Sequence, residues 1–185
     1  MRLRLTPIWG VNCSGAGGAP PDRPSAGLAG ARDGPDTEHV SDANVDIVRR
    51  LYAVFGEGAP LAAAARGAGG FDDLWALIDE DVEVSPAQQS PLARVYRGHD
   101  GARTFFGQVF EVWDESGYRR EPDAFHVAGD EVVVTVRLHA RFKGTGIELD
   151  ERWADVWTLR RGRVVRLRSF TDPAEALQAA GVQVP

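Results

Sequence analysis

The segment RWADVWTLRRGRVVRLRSFTD, residues 152–172, alternates apolar and polar residues on both sides of an Arg-Arg-Gly turn. Such alternation predicts a β-hairpin, because successive side chains of a strand point to opposite faces of a sheet. Trp153, Asp155 and Trp157 therefore share one face of the first strand. A carboxylate among apolar side chains is costly unless it is hydrogen-bonded, neutral or used in chemistry. Asp155 is accordingly the leading candidate for a catalytic residue.

The turn of this hairpin admits two registers. If Gly162 closes a three-residue loop with a G1 bulge, Leu159 pairs with Arg163. A two-residue turn would instead place Arg166 and Arg168 beside the tryptophans, so we favour the bulge. In the favoured register the inner-face pairs are Trp157 with Val165, Asp155 with Leu167, and Trp153 with Ser169.

A second hairpin, turning at residues 144–145, pairs Val134 with Asp155 and Leu138 with Glu151. The same register pairs oppositely charged residues on the other face, and this agreement supports it. The predicted inner face is apolar except for two acids, the deep Asp155 and the rim residue Glu151, and it contains no arginine. Its other members are Val132, Val134, Val136, Leu138, Ala140, Ile147, Leu149, Trp153, Trp157, Val165, Leu167 and Ser169.

The rest of the chain predicts helices first and strands afterwards. Helical periodicity covers residues 41–56, a region from 60 to 80 broken by GAGG, and residues 100–113. After a short strand at 82–85 and a possible one at 94–97, four antiparallel strands are predicted at 118–127, 132–142, 147–159 and 163–170. A turn at 129–130 brings Phe125 opposite Val134. A short helix follows, capped by Asp172 and ended by Gly181. This order predicts an α+β domain with three helices on one side of a curved antiparallel sheet.

Composition limits the classes of partner. Residues 1–40 are rich in Gly and Pro without periodicity, so we expect a disordered leader before a domain at 41–185. The net charge of −6 gives no basic footprint for nucleic acid, and no segment reaches the roughly 20 apolar residues of a membrane span. The single cysteine, Cys13, allows no internal disulfide, and we expect a cytoplasmic protein. No metal-ligand spacing or phosphate loop is found, so we expect neither metal nor cofactor.

Four segments resemble the nuclear transport factor 2-like superfamily, especially SnoaL-like domains, and more distantly ketosteroid isomerases. The resemblance covers residues 44–181. The segments are NVDIVRRLYAVFGEG, LIDEDVEVSP, VYRGHDGARTFF and ERWADVWTLRRGRVVRLRSFTDPAEAL. The resemblance implies a cone, made by a strongly curved sheet wrapped on the helices around a hydrophobic pocket, and it implies frequent homodimers.

The resemblance also implies roles for individual residues. Asp155 matches the aspartate that ketosteroid isomerases keep protonated as an oxyanion-hole donor and that SnoaL-type polyketide cyclases use as acid and base. Tyr52 lies close to the isomerase's oxyanion tyrosine, displaced by about one position, whereas Ser85 occupies the place of the isomerase's general base. The expected pocket residues are Tyr52, Ser85, Tyr96, Glu151, Trp153, Trp157, Leu167 and Ser169.

Three functions stay open on the sequence alone. The first is a pocket for a small apolar or cyclic molecule, with acid/base isomerase, cyclase or dehydratase chemistry at Asp155. The second is a non-catalytic ligand-binding or dimerisation module. The third is a structural domain without a ligand, in which Asp155 is satisfied by a tyrosine of the first helix or by a backbone amide.

Overall fold

The computed structural model describes residues 35–182, with side chains from Asp42 onward. The predicted leader lies outside the described residues apart from positions 35–40, and Cys13 lies outside them as well. Among the described helices, none is long and apolar enough to cross a membrane. The helices are α1 (Pro35–Phe55), α2 (Gly58–Ala65), α3 (Asp72–Trp75), α4 (Gly98–Val112) and α5 (Pro173–Ala179). The strands are β1 (Ile78–Ser85), β2 (Tyr96–Arg97), β3 (Arg119–Ala128), β4 (Glu131–Arg141), β5 (Glu148–Arg160) and β6 (Arg163–Phe170).

The strands form one curved sheet in the order β2-β1-β6-β5-β4-β3. Strands β3 to β6 form the predicted antiparallel meander. Strand β1 pairs with β6 in parallel, and the long connection that this pairing requires runs through α4 and four strands. The predicted α+β class is confirmed, with this one parallel pair as the departure from a purely antiparallel sheet.

The two faces of the sheet are covered by different helices. On the inner face, Val48 and Leu51 of α1 pack with Phe105 of α4 against valines of β4. On the outer face, Ala176 and Leu177 of α5 cover a small apolar cluster with β4 and β5. The predicted cap of α5 is confirmed, since the Asp172 carboxylate accepts a hydrogen bond from the backbone N–H of Ala174 at 2.9 Å.

Three predicted element boundaries are wrong. Helix α1 begins at Pro35 rather than at Ser41, because proline fits the first turn of a helix without losing a hydrogen bond. Ile78 belongs to β1 rather than to a helix, since α3 ends after one turn and Ile78 pairs with β6. Helix α4 begins at Gly98, so Asp100 lies inside its first turn. There the negative charge of Asp100 interacts favourably with the helix dipole, but its side chain does not cap the helix.

The favoured register of the β5–β6 hairpin is also wrong. Its turn has two residues, with Arg160 paired to Arg163 and positive φ angles at Arg161 and Gly162, as in the primed turns that match strand twist. A register shift between Thr158 and Leu159 then brings Leu167 and Ser169 of β6 back to the inner face, opposite Trp157 and Asp155. The observed pairs are Leu159 with Val164, Trp157 with Leu167, and Asp155 with Ser169. Val164 therefore replaces Val165 in the core, and the arginines stay on the outer face.

The predicted β4–β5 register is confirmed, with Val134 opposite Asp155 and Leu138 opposite Glu151. In β3, Phe125 lies opposite Val134 as predicted. A bulge between Pro122 and Ala124 then shifts the alternation of β3 by one residue. Proline cannot donate to a β-ladder and is typical of edge strands and bulges. As a result Arg120 points to the inner face, where the sequence analysis placed no arginine.

The linker between α1 and α2 fixes the start of β3. The Gly56 N–H donates to the carbonyl of Tyr52 at 2.9 Å, and the Gly56 carbonyl accepts from the N–H of Arg120 at 2.7 Å. A Cβ atom at Gly56 would lie 2.5 Å from the Tyr52 oxygen and 2.9 Å from the Arg120 oxygen. Only glycine therefore allows this close backbone approach, which ties α1 to β3.

We expect the substitution Gly56→Ala to lower the free energy of unfolding by roughly 2 kcal/mol or more, because the added methyl collides with two backbone oxygens. Chemical denaturation measures this loss. The matched control is Gly107→Ala on α4, where a Cβ meets no atom within 4 Å and the gain in helix propensity should stabilise by up to about 1 kcal/mol. Equal effects of the two substitutions would contradict the proposed role of the linker.

Candidate functional site

Asp155 is the centre of a buried polar cluster. The residue is 2% exposed. The Tyr52 hydroxyl donates to its Oδ2 atom at 2.5 Å, while Arg120 Nη2 and Ser169 Oγ donate to Oδ1 at 2.8 and 2.7 Å. The carboxylate thus accepts three hydrogen bonds, one of them from a guanidinium at salt-bridge distance.

Four separate elements supply this cluster. Tyr52 comes from the inner face of α1, Arg120 from β3, Asp155 from β5 and Ser169 from β6. Asp155 and Ser169 are direct neighbours across the β5–β6 ladder. Arg120, which lies opposite Leu138 of β4, reaches across that strand to the carboxylate. The cluster therefore forms only when the bulge in β3 and the hairpin register are both correct.

The charges of the cluster depend on one another. Burial alone lowers the pKa of Arg120, but the opposite charge of Asp155, with additional contributions from Tyr118 and Tyr52, outweighs it and raises that pKa. Burial raises the pKa of Tyr52 well above its ordinary value, and the charge of Asp155 raises it further. Arg120 is therefore a cation and Tyr52 a neutral phenol throughout the physiological range.

The cluster lies at one end of a cavity with about 720 Å³ of empty space, counting the solvent at its mouth. Much of this space consists of thin gaps between side chains. The only charged or hydroxyl-bearing residues among its described walls are Tyr52, Arg120, Asp155 and Ser169. The remaining walls are Leu51, Phe55, Leu61, Trp75, Ile78, Val82, Val84, Ala102, Phe105, Phe106, Trp157, Val164 and Leu167. An apolar chamber with a single polar end is the usual form of a small-molecule site.

Two tryptophans frame the polar end. The ring of Trp157 meets the ring of Tyr52 edge-on, with centroids 5.7 Å apart, and its indole N–H reaches the Tyr52 oxygen only at 3.4 Å. The ring of Trp153 lies over the guanidinium of Arg120, with 5.9 Å between the guanidinium carbon and the ring centroid. Trp157 is thus a wall of the cavity, and Trp153 covers the ion pair.

The structure brings five of the predicted site residues together and leaves four apart. Asp155, Tyr52, Trp157, Leu167 and Ser169 all line the cavity. The other four, Ser85, Tyr96, Glu151 and Trp153, lie outside that lining. Tyr96 is buried but donates to Gln108 Oε1 at 2.8 Å; Ser85 ends β1 opposite Arg168; Glu151 is exposed and accepts from Trp153 Nε1 at 3.4 Å.

Two parts of the site were missed by sequence reasoning. Arg120 was missed because simple alternation along β3 puts it on the outer face, and Pro122 inside a strand was the signal for the bulge. Trp75 is absent from the expected pocket residues, yet it lines the cavity. Behind it lies His99 of α4, which bonds the Ile78 carbonyl at 3.0 Å and packs on Trp75 with 5.0 Å between the ring centroids.

The described side chains set limits on the chemistry. Within residues 42–182, no group of three His, Cys, Asp or Glu side chains could hold a metal ion. The paired charges of Arg120 and Asp155 cancel, so the polar end is close to neutral. Its groups can orient a ligand by hydrogen bonds, and Asp155 already accepts three of the roughly four hydrogen bonds that a carboxylate can accept.

Comparison with known proteins agrees with this architecture. An uncharacterized protein from Mycobacterium tuberculosis is 31% identical over 136 residues, which cover 73% of this chain and 94% of the relative. The structure of a candidate SnoaL-like polyketide cyclase from Jannaschia sp. CCS1 superposes with a TM-score of 0.58 at 24% identity, over 84% of this chain and 100% of that one. A protein from Catenulispora acidiphila with a ketosteroid isomerase-like fold, in complex with trimethylamine, gives a TM-score of 0.53 at 12% identity, over 76% and 98% of the two chains.

The family match rests on the same segment that builds the cluster. The model of the SnoaL-like domain matches residues 48–167, a range that runs from the buried face of α1 to the middle of β6. It includes Tyr52, Arg120 and Asp155. The chain belongs to the SnoaL-like domain family, and its fold is that of the nuclear transport factor 2-like proteins.

Proposed function

We propose that this SnoaL-like protein binds a small, largely apolar molecule in the cavity, with the polar end of the ligand against the cluster around Asp155. In this proposal Asp155 holds Tyr52 and Arg120 in place and does not itself carry a proton. The observation that carries the proposal is the buried Arg120–Asp155 ion pair, at 2.8 Å, at the one polar end of an apolar cavity.

The three hydrogen bonds that Asp155 accepts argue against the acid/base function. A general base needs a free lone pair aimed at the proton that it removes. Here Tyr52, Arg120 and Ser169 donate to the carboxylate and take three of its roughly four lone-pair sites. The position that the isomerase resemblance assigns to the general base is occupied by Ser85, which has no carboxylate. Ser85 also lies outside the cavity lining.

The position of the cluster argues against a purely structural role. The Tyr52–Asp155 bond is the contact that a structural acid would make. A buried ion pair, however, contributes little net stability, and apolar residues of similar size often stabilise a core more. Ionisable groups gathered at the end of a cavity are typical of functional sites, and all four residues of this cluster line the cavity, three of them ionisable.

The direct test is a substitution that enlarges a side chain in the apolar wall of the cavity. Ala102 on α4 is 3% exposed and lines the cavity. We expect the wild-type chain to bind ethylbenzene in a calorimetric or NMR titration, and we expect Ala102→Leu to weaken that binding at least about tenfold, since the larger side chain occupies the ligand's space.

The matched control for this test is Ala59→Leu, an identical substitution at an exposed position of α2. It should leave ethylbenzene binding unchanged. If the wild type binds no ethylbenzene, or if both leucine variants bind it as the wild type does, the cavity is not the binding site and the proposal fails.

The protonation state of Tyr52 distinguishes simple ligand binding from a function in which Tyr52 donates a proton. A tyrosine that donates a proton to a ligand needs a pKa near the working pH, whereas burial and Asp155 hold the pKa of Tyr52 well above its ordinary value. The folded state therefore keeps the Tyr52 proton more tightly than the unfolded chain does. Stability from this group is complete below the ordinary tyrosine pKa of about 10 and is lost as the pH rises above it.

An absorbance titration of the phenolate band measures this directly. While the protein stays folded, wild type and Tyr52→Phe should give the same phenolate signal near pH 10. After alkaline unfolding, the wild type should gain the signal of one additional tyrosine. An additional phenolate in the folded wild type at or below pH 10 would favour proton transfer by Tyr52 over simple binding.

A further inference from the structure

We propose that residues 71–76, which include helix α3, form a lid that moves away from the cavity to admit a ligand. We call these residues the lid segment. This inference rests on the proposed binding function, and it identifies the part of the cavity wall through which a ligand enters.

The lid segment is a single layer between the cavity and solvent. Trp75 lines the cavity and is 9% exposed. Asp72, Asp73 and Ala76, which belong to the same helical turn, are exposed to solvent. Because α3 has the cavity on one side and solvent on the other, moving it outward connects the two.

The hydrogen bonds of the lid segment are local. The N–H groups of Leu74 and Trp75 donate to the carbonyl of Phe71 at 3.0 and 2.9 Å, and the N–H of Ala76 donates to the carbonyl of Asp72 at 2.9 Å. Within residues 42–182, no hydrogen bond or ion pair joins the lid segment to any residue beyond the adjoining Leu77. The segment can therefore move as a unit and keep its own hydrogen bonds.

Fixed points on both sides of the lid segment define its hinges. Before it, the Arg66 guanidinium pairs with Glu115 at 2.6 Å. After it, the Leu77 carbonyl accepts a hydrogen bond from β6 at 2.8 Å. The loop between Arg66 and the lid segment contains Gly67 and Gly70, both with positive φ, where an added Cβ would meet no atom within 4 Å. An unpacked loop with such glycines can absorb the backbone rotation of a hinge.

Apolar and aromatic contacts hold the lid closed. The ring of Phe55 on α1 lies 6.2 Å from the ring of Phe71 and 6.0 Å from that of Trp75, centroid to centroid. The guanidinium carbon of Arg103 on α4 lies 4.7 Å from the centroid of the Trp75 ring. Contacts of this kind can break and re-form without leaving a buried hydrogen-bonding group of the lid unpaired.

The sheet walls and the polar end of the cavity are less able to move. The walls from β1, β5 and β6 are joined to one another by ladder hydrogen bonds. The polar end is held by three hydrogen bonds to Asp155 that come from three other elements. Opening the cavity at either place breaks buried hydrogen bonds, which is costly. The lid segment is the wall that opens without such a loss.

The test is Phe71→Ala in the full-length chain, with the exchange of ethylbenzene followed by NMR. Phe71 contacts Phe55 but lies outside the cavity lining, so the substitution weakens the closed lid equally in the free and the bound protein. We expect both the association and the dissociation rate to rise about tenfold, the factor that a loss of about 1.4 kcal/mol gives. The Kd should stay unchanged, because a gate alters the path and not the two end states.

A second lid variant and a matched control accompany this test. Leu74→Ala removes another half-buried side chain of the lid segment outside the cavity lining, and it should also raise both rates. Phe170→Ala makes the same change as Phe71→Ala at a half-buried position of β6 that packs on the outer face. This control should leave both rates at their wild-type values. Should Phe71→Ala fail to fold, Leu74→Ala decides.

The lid and the binding function fail in different ways. If either lid variant that folds exchanges ethylbenzene at the wild-type rates, or if Phe170→Ala accelerates exchange equally, the lid is overturned and the proposed function stands. A faster dissociation alone, with a matching rise in Kd, also overturns the lid, because the altered side chain would then support the bound ligand. If the wild type binds no ethylbenzene, the proposed function fails and the lid fails with it.

Discussion

The ion pair between Arg120 and Asp155 is the interaction on which the inner face of this protein depends. Both charges are largely removed from water, with side chains 13% and 3% exposed, and such burial is costly unless geometry and additional hydrogen bonds offset it. Here the offset comes from Tyr52 and Ser169, which complete the shell of the carboxylate. The ion pair and these two hydrogen bonds together join α1, β3, β5 and β6, and they place the polar end of the cavity where these elements meet.

Two local departures from regular structure make this pair possible. The bulge near Pro122 shifts the alternation of β3, so that Arg120 faces inward. The Gly56 linker joins the carbonyl of Tyr52 to the N–H of Arg120 through its own backbone groups. Tyr52 and Arg120 are thus held by the backbone as well as through Asp155. A site held on rigid elements is suited to the recognition of a small molecule, which is the function that we propose for the cavity.

Much of this could be predicted from the sequence, and what was missed has a physical cause. Alternation and charge pairing gave the β4–β5 register and the inward direction of Asp155, and the family resemblance gave the fold. The β5–β6 turn was misjudged because a bulge can lie away from the turn that it compensates. Arg120 was missed for the same reason, since one inserted residue exchanges the faces of a strand. The walls from α3 and α4 depend on tertiary packing, which periodicity does not position.

A double-mutant cycle on the free energy of unfolding, with Arg120→Met, Asp155→Leu and the combined variant, tests the central claim most directly. If the ion pair organises the inner face, each single substitution leaves an uncompensated buried charge and costs about 3–5 kcal/mol. The combined variant, which removes both charges, should then be more stable than the sum of the two losses predicts, by about 3 kcal/mol. Losses that add to within about 0.5 kcal/mol, as they do for independent sites, would show that the pair does not hold the site together.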